Sequence, residues 1–157
     1  MTNNDWLEVL LEWWKGLEND RGGRAELKRA KSPDEVVFSS AYHRLYAQLK
    51  WDGVNRDILA TIAGLAAHIK ENDNSKKIAE QMALSKSGGS PIVSSLRFRR
   101  ILAITDRNEL YVNLIRVLRI LKGEANLSDL AQSVYWWNKR TKKEWAYQYY
   151  AIAKDEK

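Results

Sequence analysis

NRDILATIAGLAAHI, residues 55–69, predicts the helix around which the fold is built. Ile58, Ile62, Leu65 and Ile69 recur at intervals of four, three and four residues, which places them on one face of an α-helix. Small residues between them would let neighbouring helices approach closely: Ala60, Ala63, Gly64, Ala66 and Ala67. We therefore predict a helix that begins after Asn55 and lies near the centre of the protein.

Helical patterns also precede this segment. An apolar stripe runs along the first helix until RGG, residues 21–23, breaks it; the stripe consists of Trp6, Leu10, Trp13, Trp14 and Leu17. SPDE, residues 32–35, is a helix-start signal with Ser32 as the cap and Pro33 as the first helical residue. Glu35 could reach back to that cap. Another helix is predicted at about 40–49.

Further helices are predicted after the central one. Ser75 is expected to cap a short helix that reaches Ser85, and SKSGGSP, residues 85–91, is expected to be a flexible joint. Gly123 should end one later helix, while Thr141 and Glu144 should form a capping box on the last. The four helices beyond the joint are predicted at about 93–104, 108–122, 127–139 and 142–154.

The chain has only two prolines and few β-branched runs, which disfavours strands. The sequence therefore predicts an all-α protein, a compact helical bundle of about eight or nine helices with no sheet. Its 157 residues suffice for one core and leave little room for two. We expect a single all-helical domain over residues 1–157.

The amino-acid composition indicates which classes of partner the protein could bind. Lys and Arg number 26 against 20 Asp and Glu, a formal charge of +6, so a polyanion such as nucleic acid is favoured. No apolar stretch approaches the roughly 18 residues that span a bilayer, so no membrane partner is expected. The absence of cysteine excludes a disulfide and a thiolate nucleophile and fits a cytoplasmic protein.

Placing the cations on helix faces sharpens this expectation. Beside the predicted apolar stripe of Phe98, Ile101 and Leu102, Arg99 and Arg100 point to the opposite side and Arg97 flanks it. In the next helix Arg116 and Arg119 share the outer face and have no carboxylate three or four residues away. Like charges in such a row repel each other, but they suit phosphates. The alternative is an ordinary solvated helix face.

YWWNKRTKKEWAYQYY, residues 135–150, mixes rings with cations. Trp137 is expected in the core, which leaves Trp136 on another side and in need of a partner. Tyr147 and Tyr150 align with Lys143 on an outer face, where they could stack bases or pack against a neighbouring helix or subunit. The second alternative is favoured, and KRTKK, residues 139–143, is interpreted as a basic turn between helices.

No catalytic constellation is visible. His43 and His68 lie on separate predicted helices without a metal-pairing residue four positions on. SGGSP lacks the Lys-Ser/Thr ending of a phosphate-binding loop, and Glu8 with Glu12 is a common spacing. We expect a protein that is not an enzyme and has no cofactor or metal.

Several segments together resemble one known family. GGRAELKRAKSPDE, SSAYHRL, GGSPIVSSLRFRRILAITDR, LIRVLRIL and YWWNKRTKKEW follow each other in the order and spacing of the CasB family, the small subunit of the type I-E CRISPR effector complex Cascade. The resemblance covers nearly the whole chain from LLEWW onward. The region around MALSKSGGSP and the loop at 70–77 match least well.

The resemblance implies a non-catalytic, all-helical subunit that stabilises the R-loop. Its implied partners are the other Cascade proteins, a second copy of itself, the guide RNA, and the target DNA with its displaced strand. Basic positions carried over from the family are Arg24, Lys28, Arg29, Arg44, Arg99, Arg100, Arg107, Arg116, Lys139 and Arg140. With the residues from the face analysis and the KRTKK segment, the predicted nucleic-acid contacts also include Arg97, Arg119, Lys142 and Lys143.

Two alternatives remain open. The helices at 93–104 and 108–122, joined by AITDRN, have the lengths of a helix-turn-helix, so the protein could be a DNA-binding transcription regulator. A regulator would prefer one duplex sequence, whereas a Cascade subunit would not. The other alternative is a small helical enzyme that uses His43 with a distant carboxylate.

Overall fold

The computed structural model describes residues 3–85 and 87–153. Over these ranges the chain forms ten α-helices, two short 3-10 turns at Leu17–Asn19 and Lys50–Asp52, and two two-residue strands. The helices are α1 Asn3–Gly16, α2 Arg21–Arg29, α3 Pro33–Val36, α4 Ser40–Leu49, α5 Arg56–Ala66, α6 Ile78–Ala83, α7 Ser95–Leu102, α8 Arg107–Ile120, α9 Leu127–Tyr135 and α10 Lys139–Ile152; the strands are β1 Glu71–Asn72 and β2 Glu124–Ala125. The all-α prediction is confirmed.

Helix α5 is the centre of the bundle, as its small residues predicted. Every residue from Leu59 to Ala66 is buried, and the helix packs against α3, α8 and α9. Asn55 caps it through an oxygen that accepts the amides of Asp57 and Ile58, both at 3.0 Å. A Cβ at Gly64 would lie 2.7 Å from the Tyr111 ring, so only glycine permits this approach of α8.

The apolar stripe of the first helix is also confirmed. Trp6, Leu10, Trp13 and Leu17 are buried, and α1 packs against α4 and α9. Trp14 is half-buried and donates its indole N–H to the Ile69 carbonyl at 3.0 Å. The break falls at residues 17–20 rather than at RGG, because Asp20 accepts the Gly23 amide and starts α2, a helix that was not predicted separately.

The end of α8 produces a small element that the sequence did not predict. Lys122 and Gly123 adopt positive φ angles of 59° and 77°, and the Gly123 amide bonds to the Leu118 carbonyl at 2.9 Å, which closes α8 as expected at Gly123. The Gly123 carbonyl then accepts the Lys70 amide at 2.8 Å. β1 and β2 consequently pair in parallel, so the expectation of no sheet misses one two-residue pair.

Three predicted caps differ from the structure. The Ser32 side chain makes no cap bond, and Glu35 accepts instead from the Lys31 amide at 3.2 Å. Ser75 bonds to Asp73 and caps nothing, because α6 begins only at Ile78. Lys86 in the predicted joint lies outside the described residues. The residues on the two sides of the joint are connected by backbone hydrogen bonds from Ile92 to Leu84 and from Val93 to Met82.

The third difference concerns α10. Asn138 accepts the Thr141 amide at 3.0 Å and starts the helix at Lys139, while the Thr141 hydroxyl donates to the Trp136 carbonyl. Asn is a stronger cap than Thr, so the predicted capping box at Thr141 and Glu144 is wrong. KRTKK therefore forms the first turn and a half of α10 rather than a turn between helices. The predicted helix end at Lys154 lies outside the described residues.

Candidate nucleic-acid interface

A basic concavity of about 660 Å³ lies between the end of α2 and the outer face of α8. We call it the groove. Its apolar lining residues are Ala30, Val112 and Ile115, and His68 also lines it. Its cationic side chains come from segments about 90 residues apart in the chain; they are Lys28, Arg29, Lys31, Arg116 and Arg119.

The groove has a single sign of charge. No Asp or Glu lines it, and none of its cations forms an ion pair within the described part of the chain. Lys28, Arg29, Arg116 and Arg119 are all exposed. Because a concave, one-signed wall concentrates the electrostatic potential, this arrangement favours an anion with several charges over a single ion.

A buried hydrogen bond fixes the two walls of the groove. The Tyr111 hydroxyl on α8 donates to the Ala30 carbonyl at the end of α2, at 2.8 Å. Tyr111 is fully buried, and this burial raises its pKa to about 12, so the hydroxyl keeps its proton. The last turn of α2, with Lys28 and Arg29, is thereby held against α8.

His68 is neutral at physiological pH. Burial, and to a smaller extent the nearby charges of Lys28, Arg119 and Arg24, lower its pKa to about 4. Its Nε2 atom is buried and has no hydrogen-bond partner within the described residues. His68 therefore adds no positive charge to the groove.

Arg24, Arg107 and Arg44, which are predicted contact residues, are bonded to other segments of the chain. Arg24 donates to the carbonyls of Ala67 and Ile69 at 3.2 and 2.9 Å, beyond the C-terminal end of α5. Arg107 donates to the carbonyls of Val134 and Tyr135 at 3.1 and 2.9 Å, at the end of α9. Cations near helix C-termini satisfy carbonyls that lack a helical partner.

Arg44 forms an ion pair with Asp20 on the surface. The Gly23 amide and then Arg44 hold the pKa of Asp20 below its ordinary value. These contacts support structural roles for Arg24, Arg44 and Arg107, and their predicted binding to nucleic acid stays a prediction.

The arginines of α7 lie outside the groove. Phe98 and Ile101 are buried, and Arg97, Arg99 and Arg100 are exposed, as the face analysis predicted. Arg99 and Arg100 stand in the last turn of α7, where the helix dipole favours positive charge. Part of their placement is therefore explained by the helix itself.

The cations of α10 have no such explanation. Lys139, Arg140 and Lys143 are exposed in the first turns, and Lys142 lies over the Trp137 ring at 5.4 Å. No acidic residue accompanies them in the first turn. Positive charges at this end oppose the helix dipole, so an added anion would relieve an unfavourable arrangement.

Sequence reasoning missed Lys31 and the position of His68. Lys31 lies two residues beyond the end of α2, so its closeness to Lys28 and Arg29 along the chain was an available signal. No sequence signal places His68 beside α8, because that contact depends on how α5 packs in the bundle.

The comparisons agree with this fold. The family model for CRISPR-associated protein Cse2 matches residues 23–150. A chain in the crystal structure of E. coli Cascade bound to a PAM-containing double-stranded DNA target is similar in fold, with a TM-score of 0.73 and 20% identity over 90% of this chain and 94% of that one. No curated protein sequence matches.

Among the described residues, no helix is long and apolar enough to cross a bilayer, and no group of three or more His, Asp or Glu side chains could hold a metal ion. The family match covers more than half of the chain and includes both walls of the groove. It also confirms the resemblance to the CasB small subunit that the sequence motifs carried. The chain belongs to the CRISPR-associated protein Cse2 family.

Proposed function

We propose that this protein is the non-catalytic small subunit of a type I-E Cascade complex and that its groove holds nucleic-acid phosphates. The observation that carries the proposal is the convergence of Lys28, Arg29, Arg116 and Arg119 on one concavity without a carboxylate among its lining residues. Family membership supports it, and the similar E. coli chain belongs to a Cascade complex bound to a DNA target.

The chemistry of the groove suits such an accessory role. In RNA-guided complexes base pairing reads the sequence, so a subunit that attracts phosphates needs no base-reading motif. Exchange of a DNA duplex for a guide–target duplex is nearly balanced in free energy. A few charge-assisted contacts to a phosphate backbone can therefore shift that balance toward the R-loop.

The proposed partners follow from this role. They are the other Cascade proteins, a second copy of the chain, the guide RNA, and the target DNA with its displaced strand. The groove and the start of α10 offer two separate basic surfaces to these strands. The proposed location of the protein is the cytoplasm.

The histidines support a non-catalytic role. His68 is neutral and its Nε2 is buried, so it has little access to a substrate. The His43 ring lies 2.6 Å from the Val37 carbonyl, a contact that occupies one of its two nitrogens. Neither histidine has a carboxylate partner among the described contacts, as a general base would be expected to have.

The structure disfavours the regulator as an alternative. A recognition helix contacts bases through its N-terminal residues, and α8 would have to fill that role. Its start holds Asp106 as the cap and Glu109 in the first turn, while Arg107 is bonded to α9. Two carboxylates at the reading end would repel DNA.

Affinity capture of the tagged protein from its native cells, at moderate salt, tests the proposed function. We expect several larger proteins and a repeat-derived guide RNA of uniform length to be captured with it. Capture of the protein alone, or with RNAs of scattered length and sequence, would contradict the proposal. A preference of at least about a thousandfold for one duplex sequence would instead support the regulator.

A further inference from the structure

A second concavity, of about 500 Å³, lies between α9 and the first half of α10. It is built from the YWWNKRTKKEW segment, whose rings and cations the groove does not use. Its lining is polar apart from two tryptophans and includes Gln132, Gln148 and Trp136. The volume lies within the range of about 300–1,000 Å³ that is typical of small-ligand sites.

Trp136 is the unusual ring of this segment. Its neighbours Tyr135 and Trp137 are buried, whereas Trp136 is 45% exposed. Tyr135 meets it edge-on, with ring centroids 4.9 Å apart. The ring is thus held in place at the concavity while much of its surface stays in water, which the fold alone does not require.

Gln148 is the second unusual residue. Its side-chain oxygen is buried and accepts no hydrogen bond within the described part of the chain. A buried acceptor left without a donor destabilises a protein, so such groups call for a functional explanation. Gln148 lines the same concavity as Trp136, so a rotation of its amide toward a bound ligand would give the oxygen the donor that it lacks.

The charges in the lining nearly cancel. Asp129 is paired with Lys77 at 3.9 Å and accepts the Ile78 amide at 2.9 Å. The remaining charged groups are Glu144 and Arg140, one of each sign. This balance attracts neither a phosphate nor a lone cation into the concavity, but it suits a neutral, planar ligand with donors and acceptors on its edge.

We propose that this concavity holds one unpaired nucleobase, stacked on Trp136 and hydrogen-bonded by the amides of Gln132 and Gln148. The exposed cations Arg140 and Lys143 would then contact the phosphates on either side of that base. The inference rests on the proposed function and extends it, because it adds a contact to a base where the groove contacts only the backbone. Amide side chains offer a donor and an acceptor, so all four bases can be accepted.

The test compares two single-stranded oligonucleotides of equal length, one with bases and one fully abasic, in anisotropy titrations with the full chain. The wild type should bind the base-containing strand more tightly. Trp136→Leu should reduce that preference by roughly 5- to 100-fold, since base–aromatic stacking gives about 1–3 kcal/mol per base at 1.4 kcal/mol per tenfold. Trp136→Phe should restore part of it.

Trp51→Leu is the matched control, because Trp51 is 86% exposed and lies outside this concavity. It should leave the preference unchanged. Gln148→Leu should lower the preference too, while its thermal stability stays level or rises as the unpaired acceptor is removed. A single 2-aminopurine in the strand should be quenched by the wild type and not by Trp136→Leu.

The outcomes separate this inference from the function on which it rests. Equal affinity of the wild type for both strands, with normal salt dependence, would overturn the nucleobase site and leave the groove intact. If Trp136→Leu bound both strands normally but failed to assemble with the larger subunits, the concavity would be a protein contact and the inference would be wrong. If the wild type showed no salt-sensitive binding to either strand, the proposed function itself would be contradicted.

Discussion

The arginines at the helix ends and the arginines of the groove are the same residue type in opposite situations. Arg24 and Arg107 donate to carbonyls at the ends of α5 and α9 and are partly buried. Arg116 and Arg119 are exposed on α8 beside other cations and pair with no carboxylate among the described residues. The role of an arginine therefore depends on the groups that its guanidinium can contact. A count of charges in the sequence does not distinguish the two roles.

This difference implies a separation of effects. Removing a helix-end arginine leaves carbonyls without a donor and should weaken the fold. Removing a groove arginine relieves repulsion between like charges and should weaken only binding. Variants of each group of arginines can therefore be told apart by measuring stability and affinity side by side.

Charge reversal in the groove should have the largest effect. Arg116→Glu with Arg119→Glu should lower the affinity for single-stranded nucleic acid by roughly 100-fold, or about 2.7 kcal/mol, because two phosphate contacts become repulsive. The free energy of unfolding in urea should not fall. The control is Lys50→Glu with Lys76→Glu, two exposed cations outside the groove, which should lose far less affinity.

Loss of a helix-end arginine should come next. Arg107→Met keeps much of the stem but removes two charge-assisted hydrogen bonds, so the free energy of unfolding should fall by about 1.5–3 kcal/mol. Affinity for nucleic acid, measured where the variant is fully folded, should change little. Unchanged stability together with lost affinity would place Arg107 with the groove arginines instead.

The stability of the protein should depend on pH through His68, whose pKa is lowered mainly by burial and also by the cations of the groove. Its pKa is about 4 when folded and near 6.5 when unfolded, so the unfolded chain binds the extra proton between these values. His68 should therefore destabilise the protein progressively as pH falls from 6.5 to 4, by on the order of 1–3 kcal/mol. His68→Gln should flatten this part of the curve, and a polyanion in the groove should raise the pKa.

Arg44→Ala should give the smallest effect. Its ion pair with Asp20 lies on the surface, and exposed pairs contribute little to stability. We expect a melting temperature close to that of the wild type. The affinity for single-stranded nucleic acid should be close to that of the Lys50→Glu with Lys76→Glu control. A large loss of affinity would show that the Asp20 pair breaks when nucleic acid binds.

The local parts of the fold could be predicted from sequence. Periodicity identified the buried faces of α1, α5 and α7, Asn55 marked the start of α5, and Gly123 marked the end of α8. These signals depend only on neighbours within one or two turns. The cap of α10 failed for a local reason too, since Asn138 competes with Thr141 and is the stronger cap.

The groove could be predicted only in part. The outer positions of Arg116 and Arg119 followed from helix geometry, but their meeting with Lys28 and Arg29 depends on the bond from Tyr111 to Ala30, 81 residues away. The partners of Arg24 and Arg107 lie 27 to 45 residues away along the chain. Contacts of this kind arise from tertiary packing and cannot be predicted from the spacing of residues in the sequence.

The salt dependence of affinity shows whether the groove holds phosphates. For single-stranded nucleic acid, the slope of log affinity against log salt changes by about 0.7 for each phosphate contact. Arg116→Ala with Arg119→Ala should therefore make the slope shallower by roughly 1.4 relative to the wild type, while Lys50→Ala with Lys76→Ala leaves it unchanged. Equal slopes for the wild type and the groove variant would show that the groove does not hold phosphates.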